Sequence, residues 1–83
     1  MTEYSAQYGS WNDPEGLQHI KFGKVGVFDL YFTYNRKEAF WKAREVATKT
    51  GKTVTVLIKW PTGNGLRVEC IDVSPFLGTA DAE

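Results

Sequence analysis

A chain of this size can do chemistry in few ways. It can place a nucleophile beside a base, gather metal ligands, or leave a large aromatic among charges. The first two are thinly supplied. His19 is the single histidine and Cys70 the single cysteine among the 83 residues. Nucleophilic catalysis asks for Ser or Cys next to a histidine that a third group orients, and nothing in the spacing brings His19 and Cys70 together. One cysteine and one histidine also exclude an internal disulfide and a Cys/His zinc site. Cys70 on a strand reads as a small buried hydrophobe, and His19 as a strand-edge residue near the surface. Gly23-Lys24-Val25-Gly26 is too short for a phosphate loop and opens no helix. No pair of carboxylates shares one element at useful spacing. The expectation is therefore no catalytic residue, no metal, no cofactor and no enzymatic activity. The third option is present: Trp41 stands among Lys37, Glu38, Arg44 and Glu45.

The element that must position Trp41 is a helix over 36–50. Asn35 is a suitable N-cap, since its side-chain oxygen can accept from a free N–H of the first turn. Glu38 follows at the capping-box distance, and Gly51 sits where a left-handed terminating residue is expected. Ala39, Phe40, Ala43, Val46, Ala47 and Thr50 follow helical spacing and form one stripe. Its three alanines let the helix lie close to a sheet. With Ala43 at the stripe's centre, Trp41 falls about 160° away, close to the opposite side. Lys37 and Arg44 are its i−4 and i+3 neighbours, and Glu38 and Glu45 its i−3 and i+4 neighbours. A tryptophan ringed by such residues has the make-up of an interface hot spot with its rim. The candidate binding face is Trp41, Lys37, Arg44, Glu45 and Thr48. The competing reading is that the arm at residues 1–18 folds over Trp41, because tryptophan is usually mostly covered.

The sheet is expected from two hairpins. Residues 19–22 and 25–34 flank Gly23-Lys24, which suits a two-residue turn. In the longer run Phe28, Leu30, Phe32 and Tyr34 share the face expected to be buried. Val25, Val27, Asp29, Tyr31 and Thr33 share the other, and Asp29 needs a partner there. Residues 53–60 alternate, with Val54, Val56, Ile58 and Trp60 inward. Residues 66–73 return after Pro61-Thr62-Gly63-Asn64-Gly65. A five-residue loop places Trp60 opposite Leu66 and brings Val68 and Cys70 to the core. A tight Asn64-Gly65 turn sets Glu69, Ile71 and Val73 facing Trp60, Ile58 and Val56 instead, with a carboxylate beside Trp60, so the longer loop is preferred. The order is β-β-α-β-β. The fold class is α+β, a mostly antiparallel four-stranded sheet with one helix on one face. The expected divisions are an aromatic-containing arm at 1–18, one domain at 19–77 and a frayed tail at 78–83. Part of the arm is expected to pack on the domain or on a partner, and Phe76 and Leu77 to clip back onto the core.

Composition narrows the partners. A domain this small buries only about 60–65% of its unfolded surface, so it depends on a good core or on a partner. The ten basic and ten acidic residues cancel. Zero net charge argues against non-specific nucleic-acid binding as the main activity, since that mode runs on basic excess, and it lowers the barrier to self-association. The charge is uneven. Residues 1–20 carry Glu3, Asp13 and Glu15 with no Lys or Arg, whereas Arg36, Lys37, Lys42, Arg44, Lys49 and Lys52 face only Glu38 and Glu45 over 35–52. No stretch of about 18 apolar residues is present to span a membrane. The polar start lacks the apolar run of a signal peptide. The single thiol fits a reducing, cytoplasmic compartment.

The string Phe32-Thr33-Tyr34-Asn35-Arg36-Lys37-Glu38-Ala39, followed by Ala43-Arg44-Glu45-Val46-Ala47 and Gly51, resembles small accessory proteins of bacteriophages and bacteria. Those proteins set an aromatic strand, a capped amphipathic helix and a hairpin in that order. The resemblance covers roughly half the chain and implies a factor that binds and modulates a host protein; it carries over no individual site residue. The favoured expectation is a non-enzymatic protein-binding factor acting on a host protein or complex. The alternatives are a small nucleic-acid-binding protein using the basic helix, and a structural homodimer joined through the open sheet surface or an edge strand. In the homodimer, Val27, Tyr31 and Leu57 would lie on the shared sheet face.

Overall fold

A computed structural model describes residues 1–10 and 12–75. Trp11, the clip expected of Phe76 and Leu77, and the tail at 78–83 lie outside the described residues. The elements are strand β1 (Glu3–Tyr8), a 3-10 turn (Pro14–Gly16), β2 (Gln18–His19), β3 (Gly23–Val25), β4 (Phe28–Leu30), helix α1 (Arg36–Thr50), β5 (Val54–Thr62) and β6 (Gly65–Val73). β2, β1, β5 and β6 form an antiparallel sheet in that order, and β3 and β4 form a separate two-stranded sheet. The fold class is α+β with one helix packed on the four-stranded sheet.

The helix ends where its caps require. The Glu38 N–H donates to Asn35 Oδ1 at 3.1 Å, and the Gly51 N–H donates to the Ala47 carbonyl at 2.8 Å. Glu38 closes the N-terminus through a relay. Thr33 Oγ1 donates to Glu38 Oε1 at 2.7 Å and accepts from the Asn35 N–H at 3.1 Å. Ala39, Ala43 and Ala47 are fully buried against Val54, Val56 and Ile58. Small side chains on the helix let the β-branched residues of β5 fill the space between the layers. Phe40 and Val46 are half-buried at the margin of this stripe, and Thr50 is exposed.

Four expectations are corrected. First, residues of the presumed arm make an inner strand. β1 lies between β2 and β5, with Glu3 opposite Lys59 and Gln7 opposite Thr55, and it buries Tyr4, Ala6 and Gln7. Gly9 ends it at φ 114, where an added Cβ would stand 2.4 Å from the Gly16 carbonyl oxygen. Only glycine lets the chain turn so close to its own return.

Second, the early hairpin turns three residues later than Gly23-Lys24, at Gly26-Val27, and it stays outside the main sheet. Its pairing sets Lys24 opposite Asp29, and Lys21 and Lys24 reach that carboxylate at 3.7 and 4.0 Å. Phe28 and Tyr34, placed on the buried face by alternation, are exposed. Phe32 is half-buried and stands edge-on to Tyr34, with ring centroids 5.5 Å apart.

Third, the chain between β5 and β6 takes neither the five-residue loop nor the Asn64-Gly65 turn, but a two-residue turn one position earlier. Thr62 pairs with Gly65, so Gly63-Asn64 make the connection, and Arg67, Glu69, Ile71 and Val73 oppose Trp60, Ile58, Val56 and Val54. The Thr62 hydroxyl accepts from the Asn64 N–H and donates to the Gly65 carbonyl, each at 3.2 Å. Gly65 takes φ 141. The side chain that closes the turn and the glycine that absorbs its geometry outweigh the preference for an apolar neighbour beside Trp60. Glu69 escapes burial because this end of the hairpin runs past the helix; of β6, only Val73 is buried. Fourth, Val68 and Cys70 are consequently exposed on the opposite face rather than buried.

Candidate functional site

α1 sets its alanines on the sheet and thereby turns Trp41 outward. Trp41 is 67% exposed. Among the described residues of the arm, β1 is committed to the sheet on the other side of the helix and does not cover Trp41. Trp41, Arg44, Glu45, Thr48 and Lys49 line a shallow depression of about 480 Å³. Four of the five sequence-predicted residues therefore meet there. Lys37 is exposed one turn toward the helix N-terminus and is not part of the lining. Lys49 completes the lining; it lies about 80° from Trp41 on the helix, so its position was readable from the same geometry.

The charges around the ring are not equivalent. Lys42 Nζ holds Glu45 Oε1 at 3.6 Å, an i,i+3 pair across partly exposed side chains. Arg44 and Lys49 form no ion pair within 4 Å among the described residues, which leaves the floor of the depression with a basic flank. Such a surface offers a flat aromatic for stacking or packing, with donors at its edge for carbonyl, carboxylate or phosphate oxygens.

Elsewhere the chemistry-bearing residues are dispersed. His19 is on one edge strand of the sheet and Cys70 on the other, with β1 and β5 between them. His19 is exposed and stands edge-on to Tyr31 at 6.5 Å, beside a second depression lined by Leu17, Gln18, His19 and Tyr31. Among the described residues no three His, Cys, Asp or Glu side chains converge as metal ligands. No helix among them is long and apolar enough to cross a membrane. Val27, Tyr31 and Leu57 do not share one sheet face: Val27 is in the β3–β4 turn, Tyr31 follows β4, and Leu57 is in β5.

Fold and site together define a small α+β domain, one helix on an antiparallel sheet, with an uncovered tryptophan on the helix's outer side. No family model, no curated protein sequence and no solved structure matches the chain.

Proposed function

We propose that this protein is a non-enzymatic binding factor that docks a partner protein on the outer face of α1. The observation that carries this reading is Trp41, exposed and lining a depression together with Arg44, Glu45, Thr48 and Lys49. Exposing an indole to water is unfavourable, and covering it at an interface recovers that free energy. Its rigid ring loses little conformational freedom on binding. The resemblance of the strand–helix–hairpin string to phage accessory proteins supports the narrower proposal that the partner is a host protein or complex, which binding inhibits or redirects in the cytoplasm.

The test is paired. Immobilised wild-type protein retrieves the partner, and the same variant is then measured for affinity and for thermal unfolding. Trp41→Ala should weaken partner binding by about 2 kcal/mol or more while leaving the melting temperature close to wild type. Charge reversal at Arg44 or Lys37 should act mainly on the association rate and its salt dependence, as rim charges do. Unchanged partner affinity for Trp41→Ala would sink this reading.

A second reading rests on the basic flank itself. Arg44 and Lys49 beside an exposed indole make a phosphate-plus-stacking surface for single-stranded nucleic acid. Salt separates the two readings, because phosphate contacts release counterions and lose affinity steeply as salt rises.

A further inference from the structure

The two edges of the main sheet are unlike. Among the described residues, β2 closes one side with two residues, whereas β6 leaves nine in a row on the other. Its register against β5 runs unbroken from Thr62–Gly65 to Val54–Val73. β6 contains no proline and no lysine. A long, regular edge strand without these interruptions is a template for another strand.

We propose that β6 pairs antiparallel with β6 of a second copy, about a two-fold axis through Val68, so that two sheets join into one. The reading is independent of the Trp41 face, which lies on the helix.

The phase of the ladder identifies the free groups. Tyr4 exchanges both backbone hydrogen bonds with Thr33, each at 2.8 Å, so its N–H and C=O point away from β5. Antiparallel pairs alternate. Glu3, Ser5 and Gln7 therefore bond to Lys59, Leu57 and Thr55, which leaves Ile58 and Trp60 to bond to Glu69 and Arg67. By the same alternation, Leu66, Val68, Cys70 and Asp72 turn their N–H and C=O groups outward, to the open edge. These four also share the sheet face away from the helix, where Leu66 and Val68 are exposed.

Register then follows from charge. A two-fold axis normal to the sheet keeps each side chain on its own face, so it must pass through a residue and not between two. An axis through Arg67 opposes two guanidiniums, and one through Glu69 opposes two carboxylates. An axis through Cys70 sets Val68 against the partner's Asp72, and one through Ile71 sets Cys70 against it. An axis through Val68 sets Val68 against its own copy, Leu66 against the partner's Cys70, and Arg67 against the partner's Glu69, twice by symmetry. Directly opposed residues of opposite charge favour antiparallel pairing and like charges oppose it. Glu69 has no cation within 4 Å among the described residues, and Arg67 already lies on its face, over the Trp60 ring at 5.3 Å.

The covering layer leaves room. The end of β6 nearest the axis is uncovered, and only Val73 is buried. In this register the partner's Val73 falls opposite Gly63 in the turn, so the two helices lie at opposite ends of the joined sheet. The zero net charge opposes no such approach.

The experiment is sedimentation of the full chain over a wide concentration range, with reductant present so that Cys70 cannot cross-link. Wild type should dimerise reversibly, and Trp41→Ala should dimerise equally well. Arg67→Glu and Glu69→Arg should each raise the dissociation constant about tenfold or more, and the double exchange should return it to near the wild-type value. Val68→Lys sets two ammonium groups on the axis and should leave a monomer that melts where wild type melts when diluted below its dissociation constant, since the position is exposed. A protein that stays monomeric at every concentration overturns the proposal. A dimer that survives Val68→Lys does the same, as does a double exchange no better than its single variants.

Discussion

β5–β6 and β3–β4 are both antiparallel hairpins with a glycine in or beside the turn, and both alternate apolar with polar residues. In the first, Val54, Val56 and Ile58 are buried; in the second, Val27 is 83% and Phe28 74% exposed. Alternation marks a strand with one apolar face and says nothing of what will cover it. β5 has nine residues, a strand on each side, and the alanine stripe of α1 laid along it. β3 and β4 have three residues each and only one another. An isolated two-stranded ribbon is marginal by itself. This one is tied to the body at its base, where the Phe22 N–H donates to the Leu30 carbonyl at 2.7 Å and half-buried Phe22 packs on the core.

The contrast can be broken by substitution. The largest effect is expected at the covered hairpin: Ile58→Ala should cost about 2–5 kcal/mol, read as a shift of the denaturant midpoint at constant slope. A loss well below that range would mean that the helix does not seal this face. Next comes the layer that does the covering. Ala43→Leu forces a branched side chain into a fully buried contact between α1 and β5 and should cost about 1–3 kcal/mol. If that variant were as stable as wild type, the close approach of helix to sheet would be disproved. The smallest effect is expected at the uncovered hairpin. Phe28→Ser should alter stability by no more than about 0.5 kcal/mol. A steep loss there would show that Phe28 is packed against the body in solution, and the two hairpins would no longer differ.

The helix was legible residue by residue, because its signals are local. Asn35, Gly51 and the 39-43-47 alanine spacing each act on residues within about four positions of themselves, and the side of the helix on which Trp41 stands follows from them by geometry. That Trp41 is left uncovered was not legible, since the segment before β2 could as well have folded over it. Nor was β1. Tyr4, Ala6 and Tyr8 do alternate, but Ala6 and Gln7 are weak strand formers whose burial depends on β5, a segment far away in the chain. The register of β6 was not legible, because Pro61–Gly65 offers more than one turn. Keeping Glu69 away from Trp60 favours a five-residue loop over Asn64-Gly65, but the two hydrogen bonds of Thr62 close the chain at Gly63-Asn64, where Arg67 meets Trp60 and Glu69 meets Ile58. The early hairpin was misplaced because Gly23-Lys24 and Gly26-Val27 offer similar turns, and Asp29 then selects the one that sets it opposite Lys24.

The central position of β1 also bears on the order in which the molecule can assemble. Glu3 must find Lys59, so the inner pairing of the sheet closes a loop that contains the early hairpin and the whole helix. The β5–β6 hairpin and α1 close within short stretches and can form while that loop is still open. Closing the long loop costs more chain entropy than either local step and is repaid only once β1 docks. As the ribosome delivers the chain, residues 3–8 emerge well before β5 and wait for it. Until β5 appears, β1 has only β2 and the Thr33 bridge as partners. β1, with β2 that pairs onto it, then joins after the β5–β6 hairpin has formed, and in that interval the open side of β5 is available to any other extended segment.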